Sequence, residues 1–319
     1  MINILANDGI SQAGIDTLKT NGFNIVTEKV AQKDLIDKIN TENYQVLLVR
    51  SATTVRKDLI DACPQLKIIG RGGVGMDNID VDYAKEKGLK VINTPAASSA
   101  SVAELVFAHL FGMVRFLFDA NRQMPMEGES DFKGLKKSYS KGRELAGKTL
   151  GIIGFGRIGQ EVAKRAIGLG MKVIAHDKFI DKANITLEFF NGDKKSFTIE
   201  TESLKNVLTN ADFVTLHIPK DGDKAIIGAK EIGMMKTGAG IINASRGGVI
   251  DETALMFALD KEKLAYAGLD VFENEPTPAI HLLMHGAVSL TPHIGAATLE
   301  AQERIGTELA EQIATYFNK

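Results

Sequence analysis

At 319 residues the chain exceeds one ordinary domain and, at roughly 100 to 200 residues per domain, is most simply read as two lobes with one cleft between them. A net charge of −2 gives no field that would gather nucleic acid or an anionic membrane, and 44% hydrophobic against 24% charged residues is the balance of a globular protein. A single cysteine, Cys63, excludes an internal disulfide; no Cys/His cluster has zinc-ligand spacing, so no metal is expected.

The start, Met1-Ile2-Asn3-Ile4-Leu5-Ala6-Asn7-Asp8, lacks the basic region of a signal peptide, and no apolar run reaches the ~18 residues of a membrane span. The expected compartment is the cytoplasm. Short β-branched runs then alternate with amphipathic stretches. Ile2 to Ala6, Asn24 to Val26, Val46 to Val49, Leu66 to Ile69 and Lys90 to Ile92 read as strands. Repeated βα units predict an α/β fold with a parallel sheet covered by helices on both faces. A longer helix is predicted to start at Ser101, with Glu104 completing a capping box, and to stop before Met124-Pro125-Met126. Residues 125 to 147, rich in Gly, Lys and Ser, read as an extended arm or loop.

A second βα series begins at Lys148. Its strands are predicted at Thr149 to Ile153, Lys172 to Ala175, Phe213 to Leu216, Gly240 to Asn243, Ala267 to Leu269 and Val288 to Leu290, and a helix closes the chain from Thr298 to Phe317. The first strand of this series runs into Gly154-Phe155-Gly156-Arg157-Ile158-Gly159 and a helical stretch. Gly154 permits a tight turn, Gly156 lets a pyrophosphate approach the backbone, and Gly159 allows close packing of helix on strand. The helix N-terminus offers unpaired N–H groups to the anion. Asp177 lies eighteen residues beyond Gly159 at the end of the next strand, where a carboxylate accepts from ribose hydroxyls and repels a 2′-phosphate, so NAD is expected over NADP. Lys178 beside it leaves room for some tolerance of NADP.

Three later segments each follow a predicted strand: Asn243-Ala244-Ser245-Arg246-Gly247-Gly248, Asp270-Val271-Phe272-Glu273-Asn274-Glu275-Pro276, and Thr291-Pro292-His293-Ile294-Gly295. The carboxyl edge of a parallel sheet is where ligands bind in open α/β folds. Oxidising a secondary alcohol with NAD requires a base for the hydroxyl proton, a role for His293, and a group to orient that base, a role for Glu275. It also requires a cation for the substrate, and Arg246 can hold a carboxylate through two parallel hydrogen bonds. Of the other histidines, His109 reads as core, His176, His281 and His285 as strand-end or surface positions, and His217 as packing near the cofactor without acid–base work.

These residues, together with Val49-Arg50-Ser51-Ala52-Thr53, Gly70-Arg71-Gly72-Gly73-Val74-Gly75-Met76-Asp77-Asn78, Asn93-Thr94-Pro95 and Ser101-Val102-Ala103-Glu104, resemble the NAD-dependent D-2-hydroxyacid dehydrogenases over nearly the whole chain. The resemblance implies two Rossmann/flavodoxin-like, doubly wound parallel-sheet domains. One is a discontinuous substrate-binding domain, 1–98 plus 294–319, and the other an NAD-binding domain, 99–293. It implies Arg246, Glu275 and His293 as the catalytic residues. Cofactor contacts are implied at Arg157, Ile158, Asp177, His217, Ile218, Ala244, Ser245, Arg246 and Asp270, and a homodimer through the nucleotide-binding domain, with 120 to 147 as its arm. The chain departs from the family at Gly72, often Ala, and at Phe116-Leu117-Phe118, where a more polar stretch is usual. The C-terminal regulatory domain of longer relatives is not expected, nor is serine inhibition through it.

For the substrate, Arg50 and Arg71 each follow a predicted strand of the first lobe, Ser51 adds a hydroxyl, and the amides from Gly72 through Gly73 and Val74 to Gly75 form a candidate anion nest. Anions at both ends of the substrate are implied, and 3-phosphoglycerate, the entry to L-serine synthesis, meets that requirement. Glyoxylate, hydroxypyruvate or another 2-oxo acid is the second expectation. A third is a binding protein that senses NAD(H) with the same fold.

Overall fold

The computed structural model describes residues 1–220, 222 and 224–318. The chain forms two compact units, Met1–Ser101 with Ala296 onward, and Val102–Gly295. The sequence reading placed the breaks after 98 and 293. The first break instead falls inside the helix Ser99–Val114, whose first turn stays with the first unit.

The first unit holds β1 (Asn3–Ala6), β2 (Asn24–Val26), β3 (Val46–Val49), β4 (Ile68–Arg71) and β5 (Lys90–Asn93), all parallel, in the order β2-β1-β3-β4-β5. Burial on both faces explains why β3 is apolar at every position. Val46 and Leu48 face a cluster with Ile4, Ile68, Ile305 and Leu309, while Leu47 and Val49 face Leu35, Ile39, Leu59 and Ile69. β4 runs two residues past the expected end at Ile69, so Arg71 is its last residue and does not lie beyond the strand. The helix Leu299–Phe317 begins where Thr298 Oγ1 accepts from Ala301 N at 3.2 Å and buries Ile305, Leu309 and Ile313. It crosses the helix Gln12–Thr20 at two glycines. A Cβ on Gly14 would stand 2.8 Å from Gly306 O, and one on Gly306 2.1 Å from Ser11 Oγ.

The second unit holds β6 (Thr149–Ile153), β7 (Lys172–His176), β8 (Lys182–Glu188), β9 (Lys194–Glu200), β10 (Phe213–Leu216), β11 (Ala239–Asn243), β12 (Leu264–Leu269) and β13 (Val288–Leu290). Its parallel sheet runs β13-β12-β11-β10-β6-β7, so the strand order reverses between β6 and β10, the switch point at which open α/β sheets take ligands. Both sheets are doubly wound, as the resemblance implied.

Three expectations need correction. The helix begins at Ser99, so Ser101 lies inside it and not at its N-cap; Glu104 accepts from Arg165 at 2.7 Å. That helix stops at Val114, beside Phe116 with φ 55°, and a new helix, Leu117–Glu127, runs on through Pro125. Residues 125–147 are not merely an arm, because Asp131 caps a helix, Phe132–Ser138, and Leu135 and Leu145 are buried. The antiparallel hairpin β8–β9 had no counterpart in the sequence reading. No single helix among the described residues is long and apolar enough to cross a membrane.

Gly306→Val is expected to destabilise the protein by about 1–3 kcal/mol through overpacking of the helix crossing. Gly168→Ala, on an exposed helix position with open space around it, is expected to stabilise by about 0.5–1 kcal/mol. Urea denaturation of both variants against wild type checks the pair.

Candidate active site

The glycine turn follows β6 at the switch point. Gly154 has φ 93°, and a Cβ there would lie 2.4 Å from His217 O, at the end of β10. Only glycine lets those strand ends approach this closely. A Cβ on Gly159 would stand 2.2 Å from Gly154 O, whereas Gly156, at the N-cap of the helix Arg157–Gly168, has open space beside it. Arg157 is exposed and Ile158 half-buried. Asp177, past β7, accepts from Phe155 N at 2.6 Å with one oxygen and from Phe179 N at 2.8 Å and Ile180 N at 3.1 Å with the other. It therefore shapes the glycine turn, a duty that the motif spacing did not reveal.

Past β10, His217 Nε2 lies 3.0 Å from Thr215 Oγ1, and its buried Nδ1 has no hydrogen-bond partner among the described residues. Burial pushes this imidazole down to about 3, so it is neutral near pH 7 and does no acid–base work. Ile218 is half-buried beside it, its Cγ2 2.8 Å from where a Gly154 Cβ would be.

The candidate catalytic residues gather along β11, β12 and β13. At the end of β11, Asn243 Oδ1 accepts from Ser245 N at 3.0 Å and Ser245 Oγ at 2.7 Å, and its Nδ2 donates to Arg246 O at 2.9 Å. Ala244 is buried, and Arg246 Nη1 donates to Ser245 O at 2.7 Å. A Cβ on Gly247 would lie 1.7 Å from Phe272 O, so this loop and the one after β12 touch backbone to backbone. Phe272 N donates to Glu275 Oε1 at 3.0 Å, and Glu275 Oε2 meets His293 Nδ1 at 2.8 Å. The Arg246 loop, Glu275 and His293 are thus brought together through named contacts. Asp270 sits apart from solvent at 1% exposure. Its Oδ1 accepts from Thr291 Oγ1 at 2.6 Å and Ile294 N at 2.8 Å, and its Oδ2 from Gly295 N at 2.8 Å. His293, with φ 55°, lies between those grips.

A further clamp, unseen in the sequence, joins Glu252 and Glu273. Glu252 N donates to Glu273 Oε1 at 3.0 Å and Glu273 N to Glu252 Oε1 at 2.7 Å, tying the Glu275 loop to the start of the helix Glu252–Asp260. Burial raises the Glu252 carboxyl above its usual range.

In the first unit, Arg71 lies against Gly73, whose φ is 144°; a Cβ there would stand 2.1 Å from Arg71 Nη1. Arg50 Cγ lies 3.5 Å from the position of a Gly72 Cβ. Gly72 N donates to Val49 O at 2.9 Å, so that amide is withdrawn from the expected nest and Gly73, Val74 and Gly75 are left as its candidates. Val74 and Ser51 are exposed. Asp8, past β1, holds the neighbouring loop: Oδ2 accepts from Arg50 N at 2.7 Å and Thr53 N at 3.0 Å, and Oδ1 from Thr53 Oγ1 at 2.7 Å and from Lys29. Burial alone would raise this carboxyl, but its bonds to Lys29, Arg50 N–H and Thr53 hold it below the usual range.

Residues 107–295 match the NAD-binding domain model of the D-isomer-specific 2-hydroxyacid dehydrogenases. The chain belongs to that family. It is 44% identical over 311 residues to a hydroxypyruvate reductase of Thermotoga maritima, covering 96% of this chain and 95% of the relative. A D-3-phosphoglycerate dehydrogenase of Methanocaldococcus jannaschii is 43% identical over 98% of this chain. The chain spans 57% of that relative's length, and about half the length of the other phosphoglycerate dehydrogenases it matches. Among solved structures, a glyoxylate reductase from Paecilomyes thermophila superposes with a TM-score of 0.83 at 28% identity, over all of this chain and 96% of the other.

In this family member the cofactor is NAD, and the second unit fits it. The space at Gly156 faces a helix N-terminus, Asp177 stands at the adjoining strand end, and His217 offers a buried nitrogen with no partner among the described residues.

Acid stability should report His217. Its imidazole titrates near 6.5 when unfolded and about 3 when folded, so unfolding takes up a proton between those values. The associated stability is complete above pH 6.5 and is lost as pH falls toward 3. In melting curves across that window, His217→Asn is expected to lose less of its own neutral-pH Tm than wild type does.

Proposed function

We propose that the protein oxidises 3-phospho-D-glycerate to 3-phosphohydroxypyruvate with NAD, a step leading toward L-serine. The observation that carries the chemistry is the His293–Glu275 pair, 2.8 Å apart on a loop gripped at both sides. A carboxylate at Nδ1 makes that nitrogen the proton-bearing one and leaves the Nε2 lone pair to take the substrate's hydroxyl proton. Glu275 then faces the imidazolium and stabilises it. Arg246, fixed through Ser245 and Asn243, holds the substrate carboxylate and polarises the 2-oxygen. Bound NAD supplies the acceptor for the hydride that leaves C2. Arg157, Ile158, Asp177, His217 and Ile218 line its place, with Ala244 and Ser245 beside them.

Arg50 and Arg71 favour the phosphorylated substrate, because a planar guanidinium matches phosphate oxygens. Ser51, Gly73 and Val74 belong to the same anion-binding surface. Reduction of hydroxypyruvate or glyoxylate by the same residues is a second reading, favoured by the near-complete overlap with the Thermotoga maritima reductase. The exposed Phe111, Leu117, Phe118 and Phe132 of the second unit support pairing of two copies through that unit.

NADH absorbance with each acid tests the reading. Arg50→Ala and Arg71→Ala are expected to lower kcat/KM for the phosphorylated substrate by about 10- to 100-fold and to leave glyoxylate unchanged. Equal losses on both acids would move the assignment to the reductase. His293→Ala is expected to lower kcat by about 10² to 10⁴ with NADH affinity retained. Wild-type turnover in that variant would place the base elsewhere.

A further inference from the structure

The helix Ser99–Val114 carries His109 beneath the carboxyl edge of the second sheet, where its ring is buried at 2% exposure. Gly268 in β12 makes the approach possible, since a Cβ there would stand 3.0 Å from His109 Cβ. Both ring nitrogens are engaged. Nδ1 lies 2.8 Å from Ser289 Oγ in β13, and Nε2 lies 3.1 Å from Thr291 Oγ1 just beyond it.

Thr291 settles the direction of this row. Its only hydroxyl proton goes to Asp270 Oδ1 at 2.6 Å, so toward His109 it can only accept. The ring proton therefore sits on Nε2, and Nδ1 accepts from the Ser289 hydroxyl. Burial lowers the affinity of His109 for a second proton, and the negative charge of Asp270 offsets this only in part, so the ring is neutral at neutral pH. Donation thus runs one way, from Ser289 to His109 to Thr291 to Asp270. Asp270 then holds Ile294 N and Gly295 N on the far side of His293, and a Cβ on Gly295 would stand 3.0 Å from Asp270 Oδ2.

We propose that His109 is a positioning residue for His293, acting through the Thr291 hydroxyl and the Asp270 carboxylate. The proposal rests on His293 as the base. Without the Nε2 donor, the Thr291 hydroxyl is free to turn away from Asp270, and the 291–295 loop loses the grip on its leading side. His293 then spends less time aimed at the substrate hydroxyl, which lowers kcat and leaves cofactor binding as it was.

The glutamine and asparagine variants separate the two ring positions. His109→Gln keeps a donor near the place of Nε2, His109→Asn keeps a polar group only near Nδ1, and Thr291→Val removes the hydroxyl at constant shape. Asparagine and valine variants are expected to lower kcat about tenfold, with NADH affinity by fluorescence titration unchanged and KM within twofold, while the glutamine variant stays near wild type. Wild-type kcat in both His109→Asn and Thr291→Val overturns the proposal, as does a glutamine variant as slow as the asparagine one.

Nitrogen-15 ring spectra of the cofactor-free protein give a readout independent of turnover. Wild type is expected to show His109 with its proton on Nε2, and Thr291→Val to shift and broaden the His293 ring signals. A proton on Nδ1 of His109, or His293 signals indifferent to Thr291→Val, refutes the brace. Absence of wild-type turnover alongside the expected spectra counts instead against His293 as the base.

Discussion

Asp270 carries its charge at 1% exposure and spreads it over three donors that bracket His293: the Thr291 hydroxyl before it and the Ile294 and Gly295 amides after it. A buried carboxylate stripped of such partners costs several kcal/mol, so the loop leaves this arrangement only at a steep penalty. That penalty sustains His293 at φ 55°, a left-handed conformation that costs an L-residue roughly 1–2 kcal/mol. The strained residue is the one whose imidazole meets Glu275, and the grip on its neighbours leaves the ring itself partly exposed.

The same device recurs along both sheets. Asp8, just past β1, grips the loop that follows the adjacent strand β3 and carries Arg50. Asp177, just past β7, grips the turn that follows the adjacent strand β6. Asp270, just past β12, grips the loop that follows the adjacent strand β13. In each case parallel pairing sets two strand ends side by side, and an acid on one accepts the otherwise unpaired amides of the other. Loops that would be mobile on their own are fixed by the sheet beneath them.

Much of this was legible in the residues and some was not. Continuous apolar runs such as Val46–Val49 announced strands buried on both faces, and the glycine spacing announced the turn after β6. His293 and Glu275 could be paired from chemistry alone, because each follows a strand of one sheet. The hairpin β8–β9 went unread because, apart from Ile185, its residues are exposed or only partly buried, so its alternation is mostly polar. The break at Phe116 carries no glycine or asparagine to signal a left-handed residue. Ser101 resembled a cap because hydroxyls crowd this stretch, and only the structure shows the helix starting two residues earlier. The duties of Asp8, His109 and Glu252 depend on partners far away in sequence, which no local spacing encodes.

The glycine crossing of Gln12–Thr20 with Leu299–Phe317 bears on how the chain matures. During synthesis the first unit's five strands emerge early, yet the helix that covers one face of their sheet, burying Ile4, Val46 and Ile68, leaves the ribosome only after the whole second unit. Until then Leu18 of the helix Gln12–Thr20 and Phe23 cover that face only in part, and partly exposed apolar surface of this kind favours aggregation or chaperone binding. The second unit is continuous in the chain, so every segment of it has emerged before the first unit receives its last helix.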